Sequence, residues 1–374
     1  TSNDNRFDPE ANPDALKIEN IKIRNFKSIR ELNLSFGQIN IMIGGNGVGK
    51  SNLISFFKLL GQIINRSLSL HVARNGGANH LLYFGSKVSS EMGFKITFEN
   101  RNTYNSYQVR LAPNTEDGFY FTSESIGYNS GIKDSTYSLG IGHNESLLFE
   151  YNKSDSNIYG GKKGISYYVI KAFEGLKVYH FHDTGETSKM KQTGDINDNQ
   201  FLREDASNLA AFLYWLKERH VNNYNQIEKT ITRIAPFFQG FDLKPSALNP
   251  EKIRLEWLEK GSDLYFNAHS LSDGTLRMMC LATLLLQPNP PSTIIIDEPE
   301  LGLHPAAIHL LASLIKMAAE RTQVIISTQS VTLINQFTPQ DIIVVDRKEG
   351  QSVFRHIDDN ELARGSGQLR TQAR

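Results

Sequence analysis

The residues Gly44–Ser51 have the types and spacing of a phosphate-binding loop, G-x-x-x-x-G-K-[ST]. Glycines leave room for a chain to wrap around a phosphate group, and the backbone N–H groups of such a loop point at the phosphate oxygens. The Lys50 ammonium would reach the β- and γ-phosphates of a nucleotide, and the Ser51 hydroxyl would hold Mg²⁺. The stretch therefore predicts a nucleoside triphosphate site.

The segments on either side of this loop predict the elements that must position it. Apolar residues alternate over Ile39–Ile43, which indicates a strand, and they recur at helical spacing over Leu53–Ile64. A helix that starts directly after the loop aims its N-terminal N–H groups at the phosphates. Two further strands, Ile18–Phe26 and Leu32–Phe36, are predicted ahead of the loop.

A second chemical segment lies late in the chain, where the apolar run Thr293–Glu298 ends in two carboxylates. Such a run predicts a strand buried on both faces of a parallel sheet, and ligands sit at the carboxyl ends of these strands. Asp297 would hold Mg²⁺ through water, and Glu298 would orient or deprotonate an attacking water. A helix starting near Pro305 and a buried strand, Val324–Thr328, are predicted to follow.

Between these two segments, Leu271–Thr275 opens an apolar helix predicted over Leu276–Leu286. Ser272 is a good N-cap residue, and Gly274 would allow another backbone to approach closely.

The middle of the chain predicts antiparallel hairpins over Glu91–Val178, because short alternating segments are separated by turn residues. The strand segments are Phe94–Phe98, Tyr107–Leu111, Phe119–Phe121 and Leu147–Phe149. An exposed, flexible loop is predicted over Tyr151–Lys163, so the guanine-type pattern Asn152–Asp155 inside it is interpreted as a chance match.

Helices and one more hairpin are predicted after this β-rich part. The first helix would be capped by Asp205 or Ser207 and bury apolar residues from Leu209 to Leu216, and helical spacing continues to Ile234. Ile253–Trp257 and Leu264–Phe266 would then pair as strands. The sequence shows no sustained heptad pattern and no internal repeat.

Composition narrows the class of protein. The 374 residues carry 40 Lys+Arg and 40 Asp+Glu, so no overall basic field points to a nucleic-acid partner. The single cysteine, Cys280, lies among apolar residues and is predicted to be buried, which fits a reducing compartment. No apolar run approaches the roughly 18 residues of a membrane span, and no signal peptide is visible. We therefore expect an intracellular, soluble, cytoplasmic protein.

Three weaker features leave alternatives open. His180 and His182 would alternate on one strand face beside Asp183, which suits either a metal site or a polar strand end. His304 is expected to shape its own loop. The aromatic residues of the antiparallel part suit either an ordinary core or a surface for a partner.

Taken together, these motifs resemble those of the ABC-type ATPase superfamily, in its SMC/RecF/OLD branch. GGNGVGKS resembles Walker A, LSDGT the signature motif and IIIDEPE Walker B, while ELGLHP and STQS occupy the D-loop and switch positions. Ile23–Ile29 resembles the opening element of the branch. The resemblance covers Ile18–Ser51 and Leu271–Asp346, and YHFHDTG and LSDGTLR are most similar to single-domain bacterial predicted AAA-family ATPases found near phage-defence genes.

The resemblance implies an α/β fold, an ABC-type P-loop NTPase with a mixed central sheet, an antiparallel β lobe and a helical signature lobe. One ATPase domain is expected over residues 16–360, between a flexible leader (1–15) and a polar tail (361–374). Its expected parts are a β-rich part at about 91–183, a helical part at about 200–290, and a part with Walker B and the switch at about 291–360.

The resemblance also implies the site residues and a homodimer that closes over ATP. Expected ATP contacts are Lys27, Gly44, Asn46, Gly47, Gly49, Lys50, Ser51 and Asn52, with Ser272 and Gly274 reaching the nucleotide of the other subunit. Ser51 and Asp297 would hold Mg²⁺, and Glu298, Lys50 and Gln329 would be catalytic. Two departures stand out: Asp273 replaces the first glycine of the usual signature, and Gln329 replaces the usual switch histidine, which favours slow turnover.

Two functions follow from these expectations. In the first, a Mg²⁺-dependent ATPase switch regulates a partner effector, such as a nuclease or another toxin, in phage defence. In the second, the dimer is a RecF-like clamp that binds DNA in repair or recombination. The neutral net charge favours the first, and no membrane partner is expected.

Overall fold

The computed structural model describes residues 16–100, 103–132, 134–158 and 164–357, without the side chains of 154–158. The expected leader (1–15) and tail (361–374) lie outside these residues. The chain divides into two compact units. The first contains the described residues up to Lys177, Pro291–Ile295 and the described residues from Pro339 onward, and the second contains Val178–Pro290 and Ile296–Thr338. Within the described ranges, no helix has the length and apolar character needed to cross a bilayer.

The strands are, in chain order, β1 (Lys17–Phe26), β2 (Ile29–Ser35), β3 (Ile39–Ile43), β4 (Met92–Asn100), β5 (Thr103–Pro113), β6 (Phe119–Asn129), β7 (Asp134–Gly140), β8 (Leu176–Tyr179), β9 (Gly194–Asp195), β10 (Phe238–Phe241), β11 (Pro245–Ser246), β12 (Asn249–Ile253), β13 (Glu256–Glu259), β14 (Tyr265–Asn267), β15 (Thr293–Asp297), β16 (Gln323–Thr328), β17 (Ile342–Lys348) and β18 (Gln351–His356). The helices are α1 (Lys50–Ile64), α2 (Leu68–Arg74), α3 (Ala78–Leu81), α4 (Leu148–Ile158), α5 (Ile165–Glu174), α6 (Leu209–Arg219), α7 (Val221–Ile234), α8 (Asp273–Leu286), α9 (Pro305–Ala319) and α10 (Val331–Ile334). Single 3₁₀ turns lie at Lys189–Lys191, Ala268–Ser270 and Pro339–Asp341.

An antiparallel sheet in the order β2-β1-β4-β5-β6-β7 forms much of the first unit. Its strands bury alternate residues, as Met92–Asn100 shows, because successive side chains of a strand point to opposite faces. Helix α1 packs on this sheet through Phe56, whose ring makes edge contacts with Phe26 and Phe94 at 5.6 and 5.2 Å. The predicted hairpins are confirmed over β4–β6.

Two local predictions in the first unit are wrong. Leu147–Phe149 is not a strand, because α4 begins at Leu148, which is completely buried. The loop predicted over Tyr151–Lys163 is helical as far as Ile158, and residues 159–163 lie outside the described part. Helix α5 was not predicted, although its buried Val169, Ile170 and Phe173 follow helical spacing. Aromatic and β-branched residues in these segments resemble strand composition, but burial of one helical face decides the structure.

The first unit also contains the strand that enters the glycine loop. Strand β3 pairs in parallel with β17, which pairs antiparallel with β18, so the predicted mixed sheet is confirmed. In the parallel pair Ile41 lies opposite Ile342, and both side chains are buried.

Helix α8 is the core element of the second unit, where it packs against α7 and α9. Every residue from Leu276 to Leu286 is buried, including Cys280, and burial raises the pKa of that thiol to about 12. The hairpin mate Leu264–Phe266 is confirmed by the pairing of Trp257 with Phe266, although the predicted strand Ile253–Trp257 is interrupted between β12 and β13. Strands β15 and β16 and helix α9 lie where they were predicted.

The predicted N-cap of the first helix in this unit is wrong. Helix α6 begins at Leu209 with Asn208 as its N-cap residue, rather than after Asp205 or Ser207. The Asn208 side chain bonds the backbone of Phe201 and Arg203 instead of the helix. The Asp205 carboxylate accepts from the Ser207 N–H, so the two predicted caps close a turn ahead of the helix.

Candidate active site

The glycine loop follows β3 and ends at Gly49, the residue that precedes α1. Gly47 and Gly49 have φ of +76° and +116°, in the left-handed region that favours glycine. A Cβ at Gly44 would collide with the Val345 carbonyl oxygen, and one at Gly49 would collide with the Ser352 hydroxyl. Glycine is thus required at these loop positions by the packing of the loop against β17 and β18.

Lys50 lies at the first position of α1 and is buried. Its Nζ donates to the carbonyl oxygens of Gly44 and Gly45, at 2.5 and 3.0 Å. The loop residues Asn46 and Gly47 are exposed, as is Ser51. The ammonium therefore lies at the glycine loop, while the exposed residues of the loop and the Ser51 hydroxyl face solvent.

A chain of serine hydroxyls fixes the loop to two other segments of the first unit. Asn52 Nδ2 donates to Ser28 Oγ at 2.6 Å, Ser28 Oγ shares a hydrogen bond with Ser352 Oγ at 2.6 Å, and Ser352 Oγ donates to the Val48 carbonyl at 2.5 Å. Ser352 follows the loop by some 300 residues, so no local pattern marked it in the sequence. It is a residue of the candidate site that was not predicted from the sequence.

Lys27 lies in the turn between β1 and β2, at a φ of +49°. Its Nζ donates to Ser55 Oγ in the second turn of α1, at 2.7 Å, and lies 5.7 Å from the Phe26 ring centre. Burial, followed by repulsion from Lys58, lowers the pKa of Lys27. The predicted basic residue is therefore adjacent to α1 and directed toward its second turn.

The two predicted carboxylates of the second unit lie at the end of β15. Glu298 has a φ of +43°, and its N–H donates to the Ser327 carbonyl at 2.8 Å. Asp297 Oδ1, Glu300 Oε2 and Ser327 Oγ are buried and have no hydrogen-bond partner among the described residues. Most buried oxygens in native proteins accept a hydrogen bond, and those that find no protein donor are commonly satisfied by a bound ion or an ordered water.

Gln329, the predicted switch residue, contacts Glu298, the predicted base. Gln329 is exposed, and its Nε2 donates to Glu298 Oε1. Glu300 Oε1 accepts from Thr328 Oγ1 at 2.5 Å and from the Gln329 N–H at 3.2 Å. Glu300 thus holds the segment that carries Gln329, a role that was not predicted from the sequence.

The predicted signature segment starts α8 as expected. Ser272 is the N-cap residue, and its Oγ accepts from the Thr275 N–H at 3.2 Å. A Cβ at Gly274 would lie 2.5 Å from the Gly302 carbonyl oxygen, which confirms a close backbone approach at this glycine. The start of α8 and the segment after Glu300 are therefore packed backbone to backbone.

Arg277, one turn into α8, was also missed. It is buried, and its Nε donates to the Phe181 carbonyl at 2.9 Å while Nη1 donates to the Leu301 carbonyl. Nη2 lies 3.4 Å from the His182 carbonyl oxygen. One guanidinium thus joins α8 to two segments of the second unit.

The strand placement of His180 and His182 is wrong, because β8 ends at Tyr179. His182 Nε2 instead donates to the carbonyl of Asp297 at 2.9 Å, which joins this segment to the end of β15. Among the residues that the structure describes, no three His, Cys, Asp or Glu side chains form a potential metal cluster. His304 caps α9, since its Nδ1 accepts from the Ala306 N–H at 3.3 Å.

The residues at the end of β15 fit a Mg²⁺ ion of the kind that nucleotides bring with them. Mg²⁺ is usually held by one or two carboxylates together with phosphate oxygens and water, rather than by a closed protein cage. The buried Oδ1 of Asp297, which has no hydrogen-bond partner in the described part of the chain, is a suitable oxygen for this purpose. The other predicted ligand, Ser51, is exposed at the start of α1 in the first unit.

The chain is similar to solved structures of SMC head domains. One is the SmcHead bound to the C-winged helix domain of ScpA (15% identity, TM-score 0.60, covering 93% of this chain and 99% of that chain). A second is the Smc head with an extended coiled coil bound to the C-terminal domain of ScpA from Pyrococcus furiosus (15% identity, TM-score 0.56, 95% and 100%). A third is the Smc head with a coiled coil and joint from Pyrococcus yayanosii (13% identity, TM-score 0.52, 93% and 98%).

These similarities show that the chain has the SMC-head fold. Comparison with curated proteins gives no match. The profile of the family described as "AAA domain, putative AbiEii toxin, Type IV TA system" matches residues 39–335, which include both the glycine loop and the end of β15. Because this match spans most of the chain, the protein belongs to that AAA-domain family and is, in general type, a nucleotide-binding ATPase.

Proposed function

We propose that this protein binds Mg·ATP at the glycine loop, hydrolyses it slowly, and pairs with a second copy in the ATP-bound state to regulate a partner effector. The arrangement of Asp297, Glu298 and Gln329 carries the proposal. It combines a buried carboxylate oxygen that has no partner among the described residues with a carboxylate that is held by an amide.

The backbone at Glu298 supports a role in catalysis. A φ of +43° places a non-glycine residue in the left-handed region, at a cost of about 1–2 kcal/mol. Such conformations persist where the surrounding structure fixes them, and they cluster at functional sites. Here the Glu298 N–H is bound to the Ser327 carbonyl and the preceding Asp297 carbonyl is bound to His182, so both peptide groups are held.

Each of the proposed site residues would have a specific role in ATP hydrolysis. The Lys50 ammonium would stabilise negative charge that develops on the terminal phosphates. Asp297 would hold Mg²⁺, and the ion would supply further charge neutralisation when bound. Glu298 would accept the proton of the attacking water through Oε2, while Gln329 orients the carboxylate through Oε1. Because an amide cannot take up a proton, Gln329 adds no second base, which is consistent with slow turnover.

Pairing of two copies would use the start of α8. The N-terminus of a helix carries partial positive charge, and Ser272 and Gly274 lie there. In the proposed dimer this helix end meets the terminal phosphate of the nucleotide on the other copy. ATP hydrolysis would remove that phosphate, so the two copies would separate once per turnover.

The family description names a putative toxin and a toxin–antitoxin system, which supports a role in defence. We propose on this basis that the ATP-bound dimer controls a nuclease or another toxin in phage defence. A DNA clamp is the competing function. The equal numbers of acidic and basic residues offer no long-range attraction to the phosphate backbone.

The Glu298→Gln variant tests the proposal. We expect it to bind Mg·ATP with unchanged affinity, to lose about 10²- to 10⁴-fold in turnover, and to double its mass on adding ATP, because it cannot complete hydrolysis. Calorimetry, phosphate release and light scattering measure these three properties. Glu320→Gln, an exposed carboxylate at the end of α9, is the matched control.

Wild-type turnover in Glu298→Gln, or a monomer at saturating ATP, contradicts the proposal. The trapped dimer also identifies the function. If the trapped dimer retards duplex DNA, and the retardation weakens steeply as the salt concentration rises, the DNA-clamp function is favoured. Co-purification of one protein from the native host with Glu298→Gln, but not with Lys50→Ala, favours the effector.

A further inference from the structure

Helix α8 begins with a carboxylate at the end that would meet the phosphate of the other copy. Asp273 is the first residue of the helix, and its side chain is 66% exposed. A carboxylate stabilises its own helix at this position, but it repels an approaching anion. A helix start that contains Asp273 therefore needs a nearby cation before it can accept a phosphate.

The side chain of Lys191 is packed beside this helix end. Its side chain is 6% exposed, and its Nζ lies 3.9 Å from Asp273 Oδ1. Among the described residues the ammonium donates no hydrogen bond, and its contact with Asp273 is an ion pair at the long end of the usual distance range. An ammonium that is held this loosely at a helix N-terminus is placed to contact an anionic ligand at that end of the helix.

The position of Lys191 is fixed by the packing of its own turn. Lys191 closes the 3₁₀ turn Lys189–Lys191, and its N–H donates to the Ser188 carbonyl. The neighbouring Met190 is buried, and its sulfur lies 3.8 Å from Cys280 Sγ on α8. The turn thus packs on α8, and this packing holds the ammonium at the start of the helix.

Other nearby cations do not take this role. Arg277 also lies near Asp273, but its guanidinium bonds the carbonyls of Phe181 and Leu301. Lys189 is exposed, and its charge acts on Asp205 instead. Lys191 is therefore the candidate cation for an incoming phosphate.

We propose that Lys191 lets the Asp273-containing start of α8 accept the terminal phosphate of a nucleoside triphosphate bound to a second copy of the chain. The inference rests on the proposed function and adds a residue to the same site. Asp273 and Lys191 together leave the helix end neutral, so the partial charge of the helix can act on the phosphate. A nucleoside diphosphate lacks the group that this helix end recognises.

Four variants in the Glu298→Gln background test the assignment through the dissociation constant of the ATP-bound dimer. Lys191→Met removes the cation with little change in volume, and we expect it to weaken the dimer at least about tenfold. Asp273→Asn removes the anion and should leave the dimer as tight or tighter. The double variant should return to within about threefold of the parent, since the helix end is again neutral. Lys189→Met, on the same turn, should change nothing.

Two further measurements separate recognition from a merely structural ion pair. ATP affinity of the dilute monomer, measured by calorimetry, should be unchanged in Lys191→Met, because the cation acts on the nucleotide of the other copy. ADP should produce no dimer in any variant. A structural pair would instead lower the melting temperature of both single variants and leave the dimer constant unaltered.

The outcomes distinguish the inference from the function on which it rests. If Glu298→Gln itself remains monomeric with ATP, the proposed function fails and the role of Lys191 fails with it. If the parent dimerises and Lys191→Met dimerises equally well, only the role of Lys191 is overturned. If Lys191→Met does not fold, Asp273→Asn decides, because a weaker dimer in that variant contradicts the charge argument.

Discussion

The glycine loop of the first unit and the acidic end of β15 in the second unit are built in opposite ways. The loop is eight consecutive residues whose shape depends on missing side chains, since a Cβ at Gly44 or Gly49 would collide with its neighbours. The acidic end depends on residues far away in the chain, because His182 donates to the Asp297 carbonyl and Gln329 donates to Glu298. Adding atoms to the loop should therefore impair ATP binding and stability. Removing hydrogen bonds from the acidic end should instead impair ATP turnover.

The largest expected effect is on ATP binding at the loop, where the Lys50 ammonium supplies the positive charge. Lys50→Ala should lose about 2–5 kcal/mol of ATP binding, roughly 30- to 5,000-fold, because a buried charge is removed from the phosphates. Calorimetric titration with Mg·ATP measures the loss. Lys58→Ala, an exposed lysine on the same helix, is the control and should bind normally. If Lys50→Ala bound Mg·ATP with unchanged affinity, the nucleotide would not bind at this loop.

A single added methyl group tests whether the loop depends on the missing side chains. Gly44→Ala should destabilise the protein by about 1–3 kcal/mol and weaken ATP binding, because its Cβ meets the backbone carbonyl of Val345. Gly45→Ala should change stability by less than about 0.5 kcal/mol, since nothing lies within 4 Å of its Cβ. Urea unfolding of the two variants, followed by ATP titration, makes the comparison. Equal stability of the two would contradict the packing argument.

The same difference explains how much of each region could be predicted from sequence. The loop, β3 and the start of α1 are contiguous, so Gly44–Ser51 and its flanking periodicity were sufficient to predict them. Strands β15 and β16 were also predicted, because long apolar runs are strong local signals. Ser352 and Arg277 were not, since their partners are distant in sequence and only the folded chain brings them together.

The errors have a related cause. His180 and His182 continue the alternation of β8, and nothing local shows that the chain leaves the sheet after Tyr179. The start of α4 at Leu148 and the whole of α5 contain aromatic residues that suit a strand equally well. In each case a tertiary contact overrides the local preference.

His182 tests the acidic end with a smaller expected effect. His182→Ala should slow ATP turnover about tenfold at unchanged ATP affinity, because the Asp297 carbonyl loses the donor that fixes the turn before Glu298. His182→Gln keeps an N–H donor and should recover most of the loss. Steady-state kinetics give kcat and KM separately, and His309→Ala, an exposed histidine on α9, is the control. A loss in His182→Gln equal to that in His182→Ala would exclude the hydrogen bond as the cause.

Gln329→His is expected to have the smallest effect, because the existing amide already donates to Glu298 Oε1. An imidazole N–H can replace that donor, so turnover should change by less than about tenfold, or about 1.4 kcal/mol. The substitution adds a group that titrates near pH 6.5, and the adjacent carboxylate should raise its pKa. Below that pKa an imidazolium would pair with Glu298 and weaken it as a base, so activity should fall as the pH decreases.

The pH dependence of turnover therefore identifies the contact. We expect the pH profile of turnover in Gln329→His to show a new inflection above about pH 6.5. Its absence from the parent and from the exposed control Gln340→His would indicate that the side chain at position 329 contacts Glu298. Complete loss of turnover in Gln329→His, with ATP binding intact, would contradict a donor-only role. The segment that Glu300 holds through Thr328 and the Gln329 N–H would then have to move during the reaction, and Glu300→Gln should reproduce the loss.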